Sequence, residues 1–182
     1  MDDNYYQFKL ISSSQKFSKA RCQKFIDFFD ELKDLDDFKV LKTKNDLIDR
    51  VSRNLLIKSK FELFDLTPVA IRGDGNCLYR SLSKALYGDQ QYHFEVRYRT
   101  LVEMVMRKEE FLKFSEEITV QSKTYWLYHL SPGSDGLSPE HNYVNQLFEC
   151  SKIDAWSTFW HVFAAAQCFM IDIHQVYPTG EK

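Results

Sequence analysis

The stretch IRGDGNCLYRSLSKALYG, Ile71 to Gly88, sets a cysteine behind two glycines, an acid and an amide, just where an apolar pattern with helical spacing begins. A thiol attacks a carbonyl carbon well only as the thiolate. The positive end of a helix dipole, with its unpaired backbone N–H groups, is one standard way to favour that anion, and Cys77 stands where such a helix would start. Gly73 and Gly75 open backbone conformations closed to other residues, so the chain can turn sharply and aim N–H groups, that of Cys77 included, at one point. A cluster of that kind can hold the oxyanion of a tetrahedral acyl intermediate. Asp74 and Asn76 carry side chains suited to bracing the turn through local hydrogen bonds. The same residues also admit a purely structural reading, because an isolated cysteine often packs as a small hydrophobe and Gly-Asp-Gly is an ordinary turn signal.

The elements that must position Cys77 follow from periodicity. Leu78, Leu82, Ala85 and Leu86 mark one face of a helix over Cys77–Tyr87, and Gly88 is placed to end it. Tyr92 to Met106 repeats the pattern through Phe94, Tyr98, Leu101, Val102 and Val105, which predicts a helical hairpin around GDQQ. Ahead of the turn, Phe64 to Gly73 reads as an extended entry. Lys108 to Gly136 shows no clear period, and its SPGSDGLSP segment is a loop by turn chemistry. Pro139–Cys150 and Trp156–Cys168 read as helices, and FMIDIHQVY, Phe169 to Tyr177, as a buried strand. Towards the N-terminus, Phe17, Cys22, Phe25, Phe29 and Leu32 suit one amphipathic helix, and Leu47, Ile48, Val51, Leu55 and Leu56 a second, capped by Asn45. Residues 1–63 are thus expected to form a helical extension and 64–182 the main domain.

Composition excludes several function classes. The 182 residues are 44% hydrophobic and 15% aromatic, enough for one sizeable core. A net charge of −2, with acids and bases interleaved, gives no reason to expect nucleic acid. No apolar run approaches the ~20 residues of a membrane helix, and MDDNYYQF has no signal-peptide pattern. Cys22, Cys150 and Cys168 fall on apolar helix faces, and the four cysteines form no zinc-ligand spacing. An intracellular, cytoplasmic protein without metal or cofactor is the expectation.

Beyond its generic chemistry, DGNCLYRSLSKALYG resembles the signature of the ovarian-tumour (OTU) family of cysteine proteases, most of whose active members remove ubiquitin. HFEVRYRTLVEMV resembles the family's second helix with its characteristic Arg, and WSTFWHVFAAAQCFMIDIHQVYP its later helix and strand, so the likeness covers roughly Val69 to Pro178. The later segment is also similar to OTU-like domains of proteins related to mobile elements. The resemblance implies an α/β (α+β) fold with helices around a small central sheet. It implies Cys77 as nucleophile, with Asp74 supporting an oxyanion site shaped by Gly75, Asn76 and the backbone of Asn76 and Cys77, and Arg80 as a structural or substrate-proximal charge. The implied partner is ubiquitin or a ubiquitinated protein, and the implied reaction is hydrolysis of the conjugate through a thioester. The alternative is a catalytically inactive OTU-like module or fragment that binds ubiquitin or another protein.

A cysteine nucleophile also needs a base. In the family that histidine lies on a strand later than the one resembling FMIDIHQVY, which places its expected segment beyond Lys182. Among the five histidines, His93, His129 and His141 read as surface residues and His161 as a core or boundary residue. His174, on the predicted strand, has the best local case for the base. Trp156-Ser157-Thr158 stands where the family often has Trp-Gly-Gly.

Overall fold

The computed structural model describes residues 47–58, 67–121 and 138–174. Six helices account for most of them: α1 (Arg50–Lys58), α2 (Cys77–Tyr87), α3 (His93–Met106), α4 (Lys108–Gln121), α5 (Pro139–Ser151) and α6 (Phe159–Phe169). The expected helix through Phe17 to Leu32 and residues 131–137 of the SPGSDGLSP segment lie outside the described residues, whereas Ser138 and Pro139 of that segment open α5.

The helix ends follow local chemistry. Gly88 closes α2 in the left-handed conformation, φ 76°, and its N–H donates to Lys84 O. Ser138 Oγ accepts the His141 N–H at the start of α5, where Pro139 occupies the first helical position. At α1 the cap is Asp49, whose carboxylate accepts the Ser52 N–H at 2.8 Å, in place of the expected Asn45. The unpatterned middle contains a helix after all, α4, with Glu109 and Glu110 in its first turn.

α3 is the central element and packs against α2, α4, α5 and α6. Its buried Val96, Leu101, Met104 and Val105 meet Tyr79, Leu82 and Leu86 of α2, Tyr143 and Leu147 of α5, and Trp160 of α6 in one core. Ala164 and Ala165, fully buried, keep the α6 surface low where it approaches α3. Phe111 brings α4 to this core, 6.4 Å from Trp160 in an edge-on contact, and Tyr143 stands perpendicular to Trp160 at 5.0 Å.

The expected central sheet is not there: the described residues contain no strand and no sheet. Their one β-type pairing is the antiparallel bridge between Ile48 and Val69, with Asp49 N–H donating to Pro68 O and Ala70 N–H to Leu47 O. A β-prone segment becomes a strand only by finding a partner for its backbone groups. Phe169 is instead the last residue of α6, and 171–174 run on without a ladder partner among the described residues. In the entry segment, the described residues pair only through the bridge at Val69.

His161 is a fully buried α6 residue with both ring nitrogens engaged. Nδ1 accepts the Thr158 N–H at 3.0 Å, so Nε2 carries the proton and donates to Gln146 O at 2.9 Å. Burial pulls its pKa down to about 4. Because this folded value lies below the ordinary 6.5, the unfolded chain binds the extra proton first as pH falls. The neutral imidazole's contribution is therefore complete above pH ~6.5 and lost as pH falls toward 4. Stability should drop by on the order of 3 kcal/mol across that window, and His161→Gln should flatten the drop in urea titrations at stepped pH.

Candidate functional site

Cys77 is the first residue of α2 and its side chain is exposed. Among the described residues, neither its Sγ nor the N–H groups of Cys77 and Leu78 meet a hydrogen-bond partner; the first backbone bond of the helix runs from Arg80 N–H to Asn76 O. The thiol thus sits beside an open, positive helix end.

The turn before it is held by its backbone conformation and by side chains from several elements. Gly75 takes φ 79°, and a Cβ there would lie 1.8 Å from Asp154 O. Gly73 does not use a positive φ, and a Cβ on it would meet nothing within 4 Å, so only one of the two glycines is required by the backbone. Asp74 accepts the Asn76 N–H at 3.1 Å and a bidentate pair from Arg80, with Nη2 at 2.6 Å. The Arg80 guanidinium holds the Asp74 carboxyl well below the usual carboxylate range. Asp74 occupies the Asn76 N–H, whereas the N–H of Cys77 stays open among the described residues. Asn76 is buried, and its side chain crosses to residue 154: Nδ2 donates to Asp154 Oδ1, and Asp154 N–H donates to Asn76 Oδ1 at 3.3 Å.

Arg97 of α3 ties this turn to the α5–α6 connection. It is fully buried, lies 4.2 Å from the centre of the Tyr79 ring, and donates to Gly75 O (3.1 Å), Ala155 O (2.8 Å), Lys152 O (2.6 Å) and Cys150 O (3.3 Å). The 150–155 connection and the Cys77 turn are therefore one construction, with Trp156 emerging from it 81% exposed. Sequence reasoning missed both Arg97 as the clamp and Asp154. A signal for the first was available, because Arg97 falls four residues before Leu101 and seven before Met104, on the buried face of α3.

Among the described residues no histidine makes a hydrogen bond to Cys77. His93, expected at the surface, is buried, with Nδ1 at 3.0 Å from Gln90 O and 3.2 Å from Arg80 Nη1; desolvation and then the Arg80 charge lower its pKa. His141 is exposed on α5, and His129 lies outside the described residues. His174 is exposed on the segment after α6, and among the described residues it makes no hydrogen bond to Cys77. Cys150 is buried against Tyr79 Oη, with burial pushing its thiol up to about 11, which fits packing. Cys168 is half-buried on α6. Among the described residues no group of three or more His, Cys, Asp or Glu could hold a metal, and no helix is long and apolar enough to cross a membrane.

A family model described as "Vertnin, OTU domain" matches residues 68–182, a span that holds the whole of this construction. The chain belongs to this OTU-domain family. The OTU domain is 26% identical over 122 residues to Vertnin of Homo sapiens, covering 63% of this chain and 17% of that protein. It is 28% identical over 127 residues to OTU domain-containing protein 1 of Mus musculus, covering 70% and 21%. Over 79 residues it is 29% identical to OVARIAN TUMOR DOMAIN-containing deubiquitinating enzyme 10 of Arabidopsis thaliana, covering 41% and 22%. The chain thus spans about a fifth of the length of these relatives. No solved structure matches it.

Proposed function

We propose that this OTU domain is a cysteine-type hydrolase of ubiquitin conjugates with Cys77 as nucleophile. The observation that carries the proposal is the exposed thiol at the open N-terminus of α2, on a turn fixed by Gly75, Asp74, Asn76 and Arg97. The Cys77 thiolate adds to the carbonyl carbon of ubiquitin's C-terminal glycine, and the Cys77 N–H faces the developing oxyanion. Collapse expels the substrate amine, which takes up a proton, and leaves a thioester. Water then hydrolyses the thioester to a free carboxylate and restores the thiol. Asp74 acts in this scheme through the turn that it braces.

The test is a ubiquitin whose C-terminus carries an electrophile. Wild-type protein should be labelled and Cys77→Ala should not; a folded wild-type chain that resists labelling overturns the proposal. Binding of unmodified ubiquitin without labelling would move the assignment to the non-hydrolytic module, a reading favoured by the hydrogen bonds that engage His93 with Gln90 and His161 with Thr158 and Gln146 rather than with Cys77. The assignment of His174 as base is tested separately by His174→Ala: a general base removed should slow turnover by about 10²–10⁴-fold.

A further inference from the structure

Asn76 occupies the N-cap of α2, and asparagine is among the residues whose side chain best caps a helix by accepting the N–H of its second or third residue. Here it makes no such bond. Its amide is turned away and closed on Asp154 by the two reciprocal hydrogen bonds described above. Three features keep Asp154 in reach. Its backbone takes the left-handed conformation, φ 63°. The glycine at 75 lets the Asp154 carbonyl come close. Arg97 holds Gly75 O and Ala155 O with one nitrogen.

We propose that Asp154 is a positioning residue that keeps the N-terminus of α2 uncapped, so that its N–H groups are left for an anion at Cys77. The proposal deepens the hydrolase reading and rests on its assignment of that helix end to the thiolate and oxyanion. Without the Asp154 carboxylate Asn76 is released to turn from its present φ −98°, ψ 12° to the extended backbone of a capping residue; its side chain then accepts the Leu78 or Tyr79 N–H and offsets part of the positive helix end that favours the anion. Simple electrostatics predicts the reverse sign, since removing a nearby negative charge should favour a thiolate.

The experiment is the rate of Cys77 alkylation by iodoacetamide at pH 7 in the full chain, followed by mass spectrometry of the Cys77 peptide. Asp154→Gly removes the carboxylate and suits the positive φ; it should slow alkylation about fivefold, the equivalent of one helix cap. Asp154→Asn tolerates that conformation and retains an oxygen to accept from Asn76 Nδ2, so it should restore the wild-type rate. In an Asn76→Ala background, Asp154→Gly should have no further effect, because the competing cap is gone. Amide exchange gives a second reading: the Leu78 or Tyr79 N–H should become more protected in Asp154→Gly. Faster or unchanged alkylation in Asp154→Gly, failure of Asp154→Asn to rescue, or unaltered exchange at both amides would overturn the inference. Loss of ubiquitin-probe labelling alongside an intact alkylation pattern would sink the hydrolase reading and leave this one standing.

Discussion

Arg97→Leu is expected to destabilise the domain by about 3–5 kcal/mol, a large part of the total stability of a domain this size. The substitution conserves apolar bulk on a buried helix face, so packing alone would make it mild. What it removes is the one side chain that satisfies the carbonyls of Gly75, Cys150, Lys152 and Ala155 together. A buried carbonyl left without a donor costs about 1–3 kcal/mol, less where water can enter. Loss of the Tyr79 ring contact adds to this. Arg97→Lys keeps the charge but not the planar fork that spans two separate backbone segments, so it should recover less than half of the loss. Urea unfolding with an unchanged m-value would measure both. If Arg97→Lys matched wild type, the clamp would owe its strength to charge rather than to the geometry described here.

Which parts of this arrangement were legible depended on whether the information was local. The α2–α3 hairpin was readable because Leu82 and Leu86, then Leu101, Val102 and Val105, repeat at helical spacing, and Gly88 supplies the left-handed stop between them. The Cys77 turn was readable for the same reason, since its glycines, acid and amide are neighbours in the chain. α4 was missed although Glu109 and Glu110 mark its start, because Ile118-Thr119-Val120 carries the opposite, β-type preference. The central sheet failed because β composition nominates a strand but says nothing of its partner, and 171–174 find none among the described residues. His93 was misplaced because a histidine at the first position of α3 looks exposed until Arg80 and Gln90, both earlier in the chain, fold over it. Asp154 gave no signal at all. Its contact with Asn76 spans 78 residues of sequence and depends on Gly75, on the left-handed backbone of Asp154 itself and on the Arg97 clamp together.

The paired glycines of the motif should differ sharply on substitution, and Gly75→Ala is the second large effect expected. At φ 79° alanine meets the left-handed penalty of about 1–2 kcal/mol, and its Cβ would stand 1.8 Å from Asp154 O and 2.4 Å from Asp154 C. Those are backbone atoms, so no rotamer change relieves the overlap. Either Gly75 leaves its conformation or the 150–155 segment backs away. Both routes break the Asn76–Asp154 pair and pull Gly75 O from Arg97, for a total near 3 kcal/mol. The thiol is carried on the next residue but one, so a displacement of the order of 1 Å should also slow ubiquitin-probe labelling about a hundredfold in whatever fraction stays folded. Gly73→Ala provides the control, being exposed, free of a positive φ and open around its would-be Cβ, and should stay within about 0.5 kcal/mol of wild type with labelling intact. Equal behaviour of the two variants in unfolding and labelling would mean that the turn is merely flexible. A wide separation would mean that Cys77 is aimed by the contact between Gly75 and Asp154, a contact made possible by the absence of one methyl group.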